Sequence, residues 1–325
     1  MNTLAVARLT LARILLLGVI AGNVAAQGFP NKLVRLVIPY PPGGSAEAQA
    51  RILAQALSEE WRQQVIIENK PGAGTTVGAA YVAKAAPDGY TIYFASTSHT
   101  IVQSLYRNLP YDAVKSFAPI SLVAVSPLVL TVHPAVKAAT VKELIELAKA
   151  SPGTLNYASS GSGGSPHLAT EIFRAAAGID VVHVPFKGTG PALAALLGAQ
   201  VDFLFADVAV IPLLKSGKLR ALGVSLKQRS ALLPEVPTIA EAAGLPGYET
   251  ANWGAIIAPA GTPREIVDAI NAAIRNAIRQ PVVRERYSAQ GFETTGSTPA
   301  ELEAHMISEV RKYAKAIADS GVKVD

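Results

Sequence analysis

Short β-branched runs alternate with stretches of helical period along most of this chain, and twice a glycine-rich loop joins one to the other. Val34–Ile38, Val65–Ile67 and Tyr90–Phe94 read as strands. Ala46–Trp61 reads as a helix with Leu53, Leu57 and Trp61 on one face, and 72–85 as another. A similar unit starts again at Val129–Val132, followed by a helix that Thr140 and Glu143 open at capping-box spacing. Further strands read at Leu155–Ala158, Val181–Val184, Val201–Phe205, Ala221–Ser225 and Ala255–Ala258, with helices at 166–177 and 191–198. Two C-terminal helices share a start signal. Thr262-Pro263-Arg264-Glu265 and Thr298-Pro299-Ala300-Glu301 each set Thr at the N-cap, Pro first and Glu third. Buried-looking apolar runs separated by helices predict an α/β fold with largely parallel sheets.

At 325 residues, half of them apolar, the chain can fill two cores. It has no cysteine, which excludes disulfides, thiolate metal sites and cysteine nucleophiles. With 6% aromatics and no basic run, nucleic acid is not expected as a partner. His99, His133, His167, His183 and His305 lack metal-ligand spacing, so neither metal nor cofactor is expected. Arg8 and Arg13 precede an apolar stretch at 14–21, and Val24-Ala25-Ala26 precedes Gln27. That arrangement predicts a secretory signal over 1–26, cleaved near Ala26/Gln27, and a mature protein in the periplasm.

Chemistry concentrates in two loops. Pro39–Ser45 and Ser159–His167 each lie between a strand and a helix, with Ser45 or Ser165 expected at the N-cap and glycines freeing the backbone. Amides of a first helical turn bind anions without a lysine or arginine, and ligands of open α/β sheets sit beyond the carboxyl ends of the strands. One such loop per unit suggests two jaws closing on one small anion; two ordinary turns are the competing reading. Gly72–Gly78 resembles a loosened dinucleotide fingerprint without its third glycine, and no Gly-x-Ser-x-Gly elbow is present. Several single residues stay open between two roles: Lys187 as pocket cation or solvated loop residue, Asp207 as ligand contact or cap, His167 as pocket lining or structural histidine, Trp253 as cleft wall or core.

An ordered set of motifs adds to this. Val37–Ser45, Glu68–Gly74, Pro87–Thr91, Asn156–Gly161, His183–Gly188, Gly217–Leu222, Pro234–Thr238 and Ala258–Pro263 together resemble the Bug family, the extracytoplasmic receptors of tripartite tricarboxylate transporters. The resemblance implies a two-lobed periplasmic binding protein fold, type II-like, each lobe a mixed, mainly parallel sheet flanked by helices. Residues 27–124 plus 253–325 would form lobe 1 and 125–252 lobe 2, with hinge crossovers near 119–127 and 248–254. It implies a non-catalytic, monomeric receptor that binds a small carboxylate and delivers it to membrane transporter subunits, or reports it to a sensor protein. An exported hydrolase of small esters or amides is the rival, though no nucleophile–base pair supports it. By the resemblance, Gly43, Gly44 and Ser45 with Ser162, Gly163, Gly164 and Ser165 hold one carboxylate. Ser96, His99, Thr189 and Asp207 surround the rest of the ligand. The chain departs from the family at Glu47 and Ala206, where Asp is common, and at Thr75, where Gly is usual.

Overall fold

The computed structural model describes residues 28–106 and 108–321; the expected leader and its cleavage point lie outside them. The chain builds two mixed sheets. In the first, β1 (Val34–Ile38) lies between β2 (Val65–Asn69) and β3 (Thr91–Ser96), all parallel. β10 (Ala251–Pro259) runs antiparallel to β3 and to β4 (Phe117–Pro127), and the two-residue β11 (Glu293–Thr294) closes the edge against β4. In the second, β6 (Asn156–Ser159) lies between β7 (Val182–Pro185) and β8 (Phe203–Ala206), again parallel, while β5 (Val129–Val132) runs antiparallel to β8 and to β9 (Arg220–Val224). Four strands thus run one way in each sheet, β1–β4 in the first and β6–β9 in the second, the mixed, mainly parallel arrangement expected. β5 and β10, the strands by which the chain enters each sheet from the other, run against that direction and so pair antiparallel with their neighbours.

Helices cover both faces, because the central strands are apolar on both sides. α1 (Ser45–Trp61) and α9 (Arg264–Arg279) pack on one face of the first sheet around Leu53, Leu57, Ile270 and Ile274. α2 (Thr76–Ala83) and α11 (Pro299–Ser320) cover the other around Val82, Leu302 and Met306. The second sheet is covered by α4 (Val141–Ala150), α5 (Ser165–Ala177) and α8 (Ile239–Ala243) on one side and α6 (Thr189–Leu197) on the other. α3 (Thr97–Leu105) follows β3 directly. α7 (Ile211–Lys215) follows a short 3₁₀ turn at 208–210, and α10 (Pro281–Ala289) precedes β11.

The chain crosses between the sheets at Leu128 and again between β9 and β10. Ser225, fully buried, ties the crossings together. Its N–H donates to the Leu128 carbonyl at 2.9 Å, its hydroxyl donates to the Thr250 carbonyl at 2.5 Å, and Thr250 N–H returns to the Ser225 carbonyl at 2.9 Å. Residues 117–127, expected to include a connector, are one continuous strand of the first sheet. Val125, Ser126 and Pro127 pair with Trp253, Asn252 and Ala251, so the first sheet reaches past 124 and takes up β10 before 253.

Candidate functional site

The site forms where strands of both sheets end. β1 runs through 39–44 into α1; Gly43, at φ +93°, supplies the left-handed turn that the loop needs. Asn69 Nδ2 donates to the Tyr40 carbonyl at 2.9 Å, and the Tyr40 hydroxyl lies 2.7 Å from Ser96 Oγ, fixing this loop against the start of α3. β6 runs through 160–164 into α5. Here Gly163 N–H donates to His167 Nδ1 at 3.0 Å, and Ser159 Oγ lies 2.6 Å from His183 Nε2. The two imidazoles stack at 3.8 Å between ring centroids. Burial, with the neighbouring His183 ring adding to it, pushes His167 down to about 4, so its Nδ1 stays an acceptor at neutral pH.

Gly44 and Gly164, rather than the expected Ser45 and Ser165, are the N-caps of α1 and α5; the serines are the first helical residues. Glycine has no side chain with which to cap. α3 (N-cap Ser96) and α6 (N-cap Gly188) likewise begin without a side-chain cap. These four helices, two from each sheet, open onto one cleft of about 660 Å³. By contrast, Thr140, Thr238 and Thr298 cap α4, α8 and α11, none of which lines the cleft. First-turn amides lack intrahelical partners and carry the positive end of the helix dipole, so the cleft is a convergence of N–H donors. Ser96, Ser98, Ser160 and Thr189 bring hydroxyls to the lining, while the Thr97 hydroxyl is already given to the Ala251 carbonyl at 3.2 Å; Tyr40, Phe94, Trp253 and Phe292 are the aromatic residues of the lining. No lysine or arginine is among the lining residues.

Of the residues expected at the site, Gly43, Gly44, Ser45, Ser96, Ser165, Thr189 and Asp207 line this cleft. Four do not. Ser162 is exposed, Gly163 is buried under the loop, and Gly164 turns its N–H back to the Gly161 carbonyl at 3.3 Å. His99 is a core histidine: it is fully buried, its Nε2 donates to the Ala113 carbonyl at 2.8 Å, and it stacks on Tyr111. Burial pushes His99 down to about 4, which keeps it neutral there. Lys187 is exposed and does not reach the cleft. Gly43 lines the wall, but its N–H is already given to the Glu47 carboxylate, which also accepts from Arg51. The Gly43 amide holds Glu47 below the usual carboxylate range.

Sequence reasoning missed Gln49 and Asn252, which line the cleft, and left Trp253 open. Trp253 borders the cleft, but its indole belongs to the core: it is 3% exposed, packs edge-on against His305 and donates its N–H to Glu309 Oε2 at 2.9 Å. Asn252 and Trp253 lie next to a crossing, and proximity to a crossing was the only signal that could have found them. Beyond Ser45, Asp207, Asn252 and Phe292 the cleft continues into a second chamber of about 500 Å³, with Val208, Ile211, Pro212 and Leu232 on its walls. Both volumes suit small organic molecules.

Over most of its length the chain is similar to known proteins. Residues 49–322 match the tripartite tricarboxylate transporter family receptor profile. Protein BugT of Bordetella pertussis is 35% identical over 311 residues, covering 94% of each chain. Among solved structures, R. palustris Rpa4515 with adipate is 34% identical with a TM-score of 0.75, covering 91% of this chain and 99% of that one. The periplasmic binding protein BugD is 32% identical with a TM-score of 0.71, at 91% and 99% coverage.

Proposed function

The chain belongs to the tripartite tricarboxylate transporter receptor family and is a solute-binding receptor, not an enzyme; from that premise we propose that it binds a small carboxylate in the periplasm and passes it to membrane transporter subunits. The observation that carries this reading is the meeting of four helix N-termini without side-chain caps in a cleft that no basic side chain lines. A carboxylate entering there exchanges water for preorganised N–H and O–H donors, and each such bond to a charged group contributes about 1.5–3 kcal/mol. Amides of Gly44 and Ser45 serve from one side, those of Ser165 and Thr189 from the other. Binding therefore draws the two lobes together about the crossings that Ser225 ties. The adipate held by Rpa4515 is a solute of the same chemical class.

Calorimetric titration with a panel of small carboxylates and their methyl esters tests the donor-only site. The acid that binds should lose at least about tenfold in affinity as its ester, because the neutral group no longer matches the dipoles. Lys187→Ala should leave affinity within about threefold. Equal binding of acid and ester, or abolition of binding by Lys187→Ala, would replace this reading with a side-chain ion pair.

A further inference from the structure

Asp207 is the one charged residue among those lining either chamber, and it lines both. It ends the 203–206 strand and caps the 3₁₀ turn at 208–210, its Oδ1 accepting the Ala209 N–H at 3.0 Å. Capping occupies that one oxygen. Among the described residues it takes part in no ion pair. A second acceptor lies buried behind the wall of the first chamber, against Gly254, without a partner. Gln49 is 3% exposed, its Nε2 is given to the Ser45 carbonyl at 3.3 Å, and its Oε1 has no hydrogen-bond partner.

From this we infer that Asp207 selects a ligand that carries a cationic amino group beside its carboxylate, and rejects dicarboxylates. The inference rests on the carboxylate reading above. The amides of the four helices supply donors for a carboxylate in the first chamber, which Asp207 also lines. A ligand extending from there past Ser45 reaches the junction of the chambers, where Asp207 stands. A second carboxylate would meet a like charge at that point with no lysine or arginine to compensate, an arrangement that suppresses wrong partners. A plain hydroxyl would satisfy a hydrogen bond there but leave Asp207 without a counter-charge. An ammonium supplies the counter-charge that Asp207 lacks, and three N–H donors. Adipate is held by a related protein, so the charge at this junction would separate this receptor's ligands from that one's.

Asp207→Asn tests the assignment, since asparagine caps a helical turn as well as aspartate and removes only the charge. Two chain-length-matched sets serve as probes in titration calorimetry: 4-aminobutyrate, butyrate and succinate, and 6-aminohexanoate, hexanoate and adipate. In the wild type the amino acid of at least one set should bind about tenfold or more tighter than the dicarboxylate of that set. Asp207→Asn should erase that preference and raise dicarboxylate affinity at least about fivefold, with an unchanged melting temperature showing that the fold and the cap persist. A wild type that binds succinate or adipate tightest, with the order unchanged in Asp207→Asn, overturns the role of Asp207 and leaves the carboxylate reading standing. Failure of all six acids to bind overturns both.

Discussion

Thr75 occupies backbone that suits glycine. It sits at φ +96°, ending the 3₁₀ turn at 73–75 and preceding α2, with 3% of its surface exposed. Its Oγ1 is buried without a partner. A β-branched residue in this region stores about 1–3 kcal/mol of strain, because Cβ crowds the neighbouring carbonyl. The motif that carries the family resemblance usually has glycine there. Thr75→Gly should therefore stabilise the protein by about 1 kcal/mol: relief of strain exceeds the roughly 0.5–1 kcal/mol of extra chain entropy that glycine brings to the unfolded state. Urea unfolding reads this as a raised midpoint with an unchanged slope. A lowered midpoint would mean that the packing of the threonine methyl outweighs the strain.

At the scale of the element, the unit of β6, its serine–glycine loop and α5 depends on neutral histidines. The bond from Gly163 N–H to His167 requires an unprotonated Nδ1, and protonation would also set a charge against the His183 ring stacked on it. Burial lowers His183 as well as His167, and it lowers His99 in the other lobe. A histidine whose folded value lies near 4 against an unfolded 6.5 takes up its proton first in the unfolded chain. Between those values the unfolded state binds more protons, so stability rises with pH across the window and is lost as pH falls from about 6.5 toward 4. Chemical denaturation at pH steps across that range should show this decline and a plateau above about pH 7. His99→Leu should be less stable at pH 7.5, since the Ala113 carbonyl loses its donor, yet should decline less on acidification. A slope unchanged by His99→Leu would remove this histidine from the account.

Across the whole molecule, α11 connects what the two sheets keep apart. Its Glu309 holds the Trp253 indole of β10, and its Tyr313 and Ile317 pack with Ile101 of α3 and Leu168 of α5. The cleft thus has the crossings on one side and a helix touching both lobes behind it. Closure on a ligand is expected as rotation about these elements, without rearrangement of either sheet. Small-angle scattering should report a smaller radius of gyration at saturating carboxylate. Tryptophan emission gives a second readout. Trp253 lines the cleft, whereas Trp61 lies beside Phe29 on α1 of the first lobe. The ligand-dependent change in emission should vanish in Trp253→Phe and persist in Trp61→Phe. A ligand that binds without altering either signal would argue for a cleft already closed when empty.

The alternation of strands and helices, the two α/β units, the two glycine-rich loops and, through ordered motifs, the family are all legible in the amino-acid order alone. Each of these is written in local pattern: apolar period, turn residues and spacing. Local pattern fails where a side chain has a choice of partners. Thr298 and Thr262 open the same four-residue signal, but only Thr298 forms the capping box. The Thr262 hydroxyl donates instead to the Pro259 carbonyl at 2.7 Å, leaving Pro263 at the cap of α9. The same limit applied at the site. Nothing local separates His99, turned into the core by Ala113 and Tyr111, from Ser96, turned to the cleft three residues earlier. Nor does any local signal mark Gln49, Asn252 and Asp207 as neighbours of one cavity, since the ends of β1, β8 and β10 meet only when both sheets are assembled. Those contacts are long-range in sequence, and the energy that selects them is burial and hydrogen-bond satisfaction in the packed structure.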